Sequence, residues 1–457
     1  MGAETVDPAQ APDPAHPSEL IGPAYRRYAM AMLLIISIFN YLDRTVVNIL
    51  AEPIKHDLDL ADWQLGLLTG LAFGLLYTFL GLPIARLAER SNRPLIIASA
   101  TAVWSLFTVA CAYVQNFGQL ALARVGVGIG EAGCTPPAHS LIMDYAPPEK
   151  RGSALAFYGL GTSIGGLLGM AFGGLVADAY GWRTAFLVAG APGLAFALLA
   201  AFTLIEPRKL MARAIKNPGP PANTPTMMET FRYLGSKRSY RFMATAQILK
   251  VFMMIGYGPF LASFYLRNHG VELAGSAESI GAYFGYALGS VGLLGIALGL
   301  ANGVGAAIGL WTGGMVADRI GPADPRRYVY IPAIAALVDV PVFAAALLVP
   351  DFGLSLILMA LHALIAAVWY GPAFAAAFSV SPPNMRATNS ALLLFLGNLF
   401  GLGLGPLLVG VMSDMFGASL GAGEGLRWSL VILGMMGFIT AYLFWQSAKT
   451  LREEIVS

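Results

Sequence analysis

A small set of ionisable side chains falls inside long apolar stretches of this chain, and any chemistry must lie with them. Within residues 29–51, Asn40, Arg44 and Asn48 recur every fourth residue and form one polar stripe of a helix. Asp43 projects about 100° round from Arg44. Within 117–143, Arg124 and Glu131 stand seven residues apart, two turns along one face, with Gly126, Gly128 and Gly130 between them. Ionisable groups in hydrocarbon are costly, so they normally face a partner or a water-filled cavity. A carboxylate whose basic partner comes and goes can load and release a proton, a role that Asp43 and Glu131 both fit. Arg44, with its planar donor fork, suits an anionic head group or the Glu131 carboxylate. The competing reading is that these charges are permanent ion pairs that lock neighbouring helices together.

The second half of the chain offers fewer charges. Lys250 and Asp339 read as lone charges, and Lys250 lies close enough to a helix end to snorkel towards it. Tyr257 and Trp369, with Met253, Met254, Trp311, Tyr370 and Phe374, are candidates for an apolar wall, although each could equally face lipid or pack. His139 and His362 read as packing or cavity-lining residues rather than relays. The expected substrate-facing set is therefore Asn40, Tyr41, Arg44, Arg124, Lys250, Tyr257 and Trp369. No nucleophile–base set appears, and an enzyme is not expected. The two cysteines, Cys111 and Cys134, lie apart in apolar stretches and form no CxxC pair, so neither a metal nor another cofactor is implied.

The elements that position these residues follow from composition. Of 457 residues, 57% are apolar and 12% charged, where a soluble domain carries about 25% charged residues. A water-facing surface cannot be built from that. A helix needs about 20 mainly apolar residues to cross the hydrocarbon core, and twelve such stretches are expected. In the first half they are 29–51, 64–87, 94–114, 117–143, 152–178 and 184–205; in the second, 242–266, 290–317, 328–349, 352–378, 387–413 and 428–448. The fold class is all-α integral membrane, with twelve transmembrane helices in two six-helix bundles.

Basic residues orient the spans, because cytoplasmic loops hold the excess of lysine and arginine. With the N-terminus inside, 21 of the 28 fall on the cytoplasmic side and only Lys55, Arg183, Arg267 and Arg427 in outer loops. They form no stripe that could follow a phosphate backbone, so nucleic acid is not an expected partner. The expected partners are membrane lipids, protons and a small amphiphilic or anionic solute, bound by a monomer. Residues 1–24 lack the pattern of a secretory signal and read as a disordered cytoplasmic tail. Residues 25–205 read as the N-terminal bundle, 206–238 as a cytoplasmic linker around Pro218-Gly219-Pro220-Pro221, and 239–457 as the C-terminal bundle. Both termini are expected in the cytoplasm. No Asn-x-Ser/Thr acceptor occurs, which favours a bacterial or organellar protein over a glycosylated surface protein, and the expected location is a bacterial inner membrane.

An internal repeat organises the whole. Gly161, Gly165, Gly169, Gly174, Asp178 and Gly181 recur 236 residues later as Gly397, Gly401, Gly405, Gly410, Asp414 and Gly417. The glycines read first as smooth faces for close helix packing. A second echo pairs Leu87-Ala88-Glu89-Arg90 with Val316-Ala317-Asp318-Arg319.

That second echo, with Arg93 after the first copy and Gly314 before the second, resembles the paired Gly-x-Leu-Ala-Asp-Arg-x-Gly-Arg-Arg loops of the major facilitator superfamily. The first copy departs from the pattern at Ala85, Glu89, Asn92 and Pro94, with Glu89 keeping the charge. Within that superfamily, Asn40-Tyr41-Leu42-Asp43-Arg44 and Arg124-Val125-Gly126-Val127-Gly128-Ile129-Gly130-Glu131-Ala132 resemble the spinster family of lysolipid and sphingolipid transporters. They resemble bacterial organic-ion symporters almost as well. The resemblance implies two pseudo-symmetric halves rocking about a midplane site by alternating access. It also implies a cytoplasmic gate built from Glu89, Arg90, Arg93, Asp318 and Arg319. The expected function is transport of an amphiphilic anion such as a lysophospholipid or sphingolipid, proton-coupled through Asp43 and Glu131. The alternative is a proton-coupled carrier of a small organic anion or drug.

Overall fold

A computed structural model describes residues 21–147, 150–209, 226–321 and 323–456, apart from the side chains at Leu82, Glu89, Pro383 and Ala387. Residues 1–20 of the expected tail and 210–225 of the expected linker lie outside the described residues. Within those expected connections, Pro23 already begins the first helix and Met227–Ser236 is helical.

All named elements are helical. The first half contains α1 (Pro23–Leu58), α2 (Asp62–Thr69), α3 (Leu71–Arg90), α4 (Arg93–Cys111), α5 (Phe117–Glu131), α6 (Thr135–Tyr145), α7 (Arg151–Tyr180) and α8 (Trp182–Thr203). After the short α9 (Met227–Ser236) come α10 (Arg238–Tyr257), α11 (Phe260–Asn268), α12 (Gly270–Phe284), α13 (Ser290–Leu300) and α14 (Ala306–Ile320). The chain closes with α15 (Arg327–Leu348), α16 (Phe352–Ala367), α17 (Tyr370–Ser379), α18 (Arg386–Leu420) and α19 (Ala422–Glu454).

Among the described residues ten helices, some of them joined from consecutive elements, are long and apolar enough to cross a membrane, and the bent pair α10–α11 makes an eleventh. The expected span over 117–143 is divided instead into α5 and α6. The chain turns at Ala132, Gly133 and Cys134, and Pro136 and Pro137, which lack an amide donor, open α6. That division places Glu131 at the last position of α5. A π-helical turn, Ala301–Gly305, likewise interrupts the path from α13 to α14.

Within each half the helices pack in corresponding pairs, α1 on α7 and α10 on α18, with α4 on α8 and α15 on α19. The two largest contacts between halves are α7 with α13, and α18 with α2. Both depend on a glycine of the repeat. A Cβ on Gly174 would collide with the Val291 carbonyl at the start of α13, and one on Gly410 with the Asp62 carbonyl at the start of α2. The aspartate that follows each glycine completes the joint. Asp178 accepts the Gly292 N–H at 2.6 Å, and Asp414 accepts the N–H groups of Asp62 and Trp63 at 3.0 and 2.8 Å. Free amides at a helix start are natural partners for a carboxylate. Two of the six matched positions, the glycine at 174 and 410 and the aspartate at 178 and 414, thus record one joint built twice, while Gly161, Gly165 and Gly169 pack on α1 and Gly397, Gly401 and Gly405 on α10.

Candidate functional site

The charged residues of α1 and α5 meet in pairs. Helical spacing sends Asp43 and Arg44 in different directions, and each finds a partner from α5. Arg44 donates through Nε to Glu131. Asp43 lies 3.8 Å from Arg124, a charge pair too long to be a hydrogen bond, and accepts from the Thr108 hydroxyl of α4 at 2.8 Å. The guanidinium of Arg44 also lies over the Tyr77 ring at 4.3 Å and the Tyr41 ring at 5.1 Å, contacts that stabilise a partly desolvated cation.

Access is uneven. The Arg44 side chain keeps 18% of its surface exposed, whereas Glu131 keeps none, and Asn40, Asp43 and Arg124 are buried. Burial is not matched by full hydrogen bonding. Asp43 Oδ2, Glu131 Oε1, Asn40 Nδ2, Arg44 Nη2 and two Arg124 nitrogens have no partner. The carboxyls of Asp43 and Glu131 are near enough to share a hydrogen bond, should one of them carry a proton.

Lys250 is not a lone charge and does not snorkel. It is buried and donates to Asp339 Oδ2 at 2.8 Å, while His362 Nδ1 meets Asp339 Oδ1 at 2.7 Å. Tyr257 sits edge-on to His362, with ring centroids 5.3 Å apart. Trp369 is buried against Tyr370 and lines a cavity of about 30 Å³ with Gln247 and Phe374. Trp311, by contrast, is 68% exposed. His139 packs edge-on against Tyr158, as a packing residue would.

The expected gate residues do not gather. Arg93 is fully buried within the first half, bonded through Nε to Glu206 at 3.1 Å, through Nη1 to the Ser140 carbonyl at 3.0 Å, and paired with Asp144 at 2.6 Å. Arg90, Asp318 and Arg319 are exposed, with no ion pair among the described residues, and the Glu89 side chain lies outside them. The halves are instead tied at the opposite end. Arg267 on α11 reaches Glu52 of α1 at 2.8 Å and Asp62 of α2 at 2.7 Å, and Asp62 also accepts from Ser413 of α18 at 2.6 Å. Sequence reading counted Arg267 only as an outer-loop charge and Asp178 and Asp414 only as members of a repeat. The recurrence of an acidic residue among glycines was the available signal.

Long apolar helices in two halves joined across α7–α13 and α18–α2, with charge pairs buried among them, fit a membrane carrier. The chain belongs to the major facilitator superfamily, whose family model matches residues 33–399. It is 31% identical over 437 residues to an MFS-type efflux pump of Mycolicibacterium smegmatis, covering 95% of both chains. It is 27% identical to a hexuronate transporter of Bacillus subtilis, over 85% of this chain and 88% of that one. The crystal structure of a bacterial homologue of the human lysosomal transporter spinster, inward-facing and unoccupied, superposes with a TM-score of 0.82 at 30% identity, covering 96% of this chain and all of that one. The chain is an integral membrane secondary transporter of spinster-like build.

Proposed function

We propose that this transporter moves an amphiphilic anion by alternating access, coupled to protons through Asp43 and Glu131. The observation that carries the reading is the pair of buried carboxyls with one bare oxygen each, Asp43 Oδ2 and Glu131 Oε1. A proton between them would complete both, and its loss would return each carboxylate to its arginine. Arg44, the exposed member of the cluster, is the group an anionic head would compete for. Substrate binding at Arg44 would then free Glu131 to take up a proton, which links the two events without any further part.

The aromatic side chains of Trp369, Tyr370 and Phe374 lie in contact and would offer an acyl chain a better surface than a sugar, whose hydroxyls need polar replacements for water. The likeness to a spinster homologue supports the same choice. The likeness to a hexuronate transporter supports the second reading, a small organic anion held at Arg44 alone. We place the protein in a bacterial inner membrane as a monomer with both termini cytoplasmic. On that orientation Arg267, Glu52 and Asp62 close the outer side, and the separated Arg90 and Asp318 mark an inner side that is open.

Purified protein in liposomes, offered lysophospholipid, sphingosine phosphate or hexuronate with and without a pH gradient, tests the reading. Gradient-driven movement of the lysolipids, lost in Asp43→Asn and Glu131→Gln, is expected. Movement of hexuronate alone would replace the lipid reading by the second one, and unchanged driven uptake in both variants would remove the coupling assignment.

A further inference from the structure

The second half holds a buried charge cluster that the mechanism above does not use. Asp339 of α15 is held from two sides, one oxygen by Lys250 of α10 and the other by His362 of α16. All three side chains are about 95% buried. With an ionised Asp339 as acceptor, His362 carries its hydrogen on Nδ1, which leaves Nε2 as a bare lone pair. That nitrogen is buried and has no hydrogen-bond partner.

A Lys250–Asp339 pair would by itself be neutral but would leave Asp339 Oδ1 without a donor; His362 supplies it through Nδ1, and that role makes no use of the second ring nitrogen. Leaving a buried polar atom unpaired costs about 1–3 kcal/mol. The surroundings of the ring suit an added positive charge. Phe343 stacks on the imidazole at 4.3 Å between centroids, and Tyr257 stands edge-on at 5.3 Å. Lys250, Asp339 and the phenol of Tyr257 are the titratable groups that face it. The other elements packed nearby bring none: α14 meets α16 through Gly309 and Gly313, and α19 meets α15 through Gly434 and Gly437. Gln247, one turn before Lys250, has an unpartnered Oε1 and lines the cavity of about 30 Å³ beside Trp369. That space is large enough for about one water molecule.

We propose that Lys250, Asp339 and His362 form a second proton-binding site, in the second half of the chain, with Nε2 of His362 as the atom that takes the proton. The proton comes from water and forms an N–H bond at Nε2. The cluster passes from neutral, with one cation and one anion, to a net charge of one, and no other bond changes. The site stands apart from Asp43 and Glu131 and does not rest on their assignment.

The chain has five histidines, so the full-length variant H16Q/H56Q/H139Q/H269Q isolates His362 for nitrogen-15 imidazole spectroscopy in lipid nanodiscs, with no substrate present. The expected result is a neutral Nδ1–H tautomer in alkaline buffer that converts to imidazolium on acidification. D339N is expected to show both neutral tautomers. Adding D43N and E131Q to the single-histidine variant is expected to leave the conversion in place. A ring that stays neutral, one that stays charged, or a neutral Nε2–H form in the presence of Asp339 would each overturn the proposal. Loss of the conversion in the D43N/E131Q background would overturn the separateness of the site. Should the four-glutamine variant fail to fold, the same signal is assigned in the wild-type protein as the resonance missing from H362Q.

Discussion

Asp178 and Asp414, 236 residues apart, do the same work on opposite sides of one joint: each carboxylate receives backbone N–H groups at the start of a helix belonging to the other half. These bonds must break for the halves to part at that end. Capping carboxylates contribute about 1 kcal/mol each, small enough for a reversible latch.

Replacing the two latches should therefore shift a conformational balance rather than unfold the protein. In D178A/D414A, spin labels at Asp59 and Glu272 are expected to show a population at longer distance, roughly thirtyfold enriched for a loss of about 2 kcal/mol. An unchanged distance distribution would mean that the latches do not hold this end closed.

Arg267 is different in kind. Its side chain is nearly fully buried and serves two carboxylates, Glu52 and Asp62, and its removal leaves Glu52 with His56 alone and Asp62 with Lys55 and Ser413. Breaking a buried pair from one side costs about 3–5 kcal/mol. R267M is expected to lower the melting temperature measured in detergent, and R267M/E52Q/D62N to recover most of the loss. A triple variant no more stable than the single one would show that packing, not charge, sets the cost.

Arg93 separates a structural role from a gating one. Its guanidinium is enclosed by Glu206, Asp144 and Ser140 inside the first half. R93Q should destabilise the protein by about 3 kcal/mol, and R93K should recover little, because an ammonium cannot reproduce the planar fork. A gate residue would instead alter the distance distribution described for the latches and leave thermal stability in place.

The pairing of Asp43 with Arg124 predicts a coupling energy. D43N leaves Arg124 buried without its counter-charge, and R124Q does the converse, so each single variant should be less stable than D43N/R124Q by an amount set by the pair. A double-mutant cycle on thermal stability is expected to give about 0.5–3 kcal/mol of interaction. Additive losses would show that Thr108, rather than Arg124, holds Asp43.

Near the loop before α15, Asp324 lies between Arg326 and Arg452, and these cations hold its carboxyl below the usual range. A depressed carboxylate contributes stability above its unfolded pKa and loses it as pH falls through the folded value. Protease resistance around Arg326 should thus persist through mild acid and fall in D324N at neutral pH.

Much of this protein was legible before any coordinates. Hydropathy is local, and a span announces itself in about 20 residues, so the helices over 29–51 or 184–205 could be read directly. The break between α5 and α6 falls beside Pro136 and Pro137, inside the stretch 117–143 that hydropathy reads as one span, because whether a proline bends a helix or ends it depends on what the neighbouring helices fill. Sequence spacing also established that Asp43 and Arg44 point apart and that Arg124 and Glu131 share a face.

What sequence spacing could not settle is which charge meets which. The choice of Arg124 for Asp43 and Glu131 for Arg44, the joining of Lys250, Asp339 and His362 from three helices, and the enclosure of Arg93 away from Asp318 are all contacts between residues far apart in the chain. Hydrophobicity and period determine that a helix forms and which face is polar. The partner of a buried charge is decided only when helices pack, because an ion pair depends on a few ångströms of relative placement that no local pattern encodes.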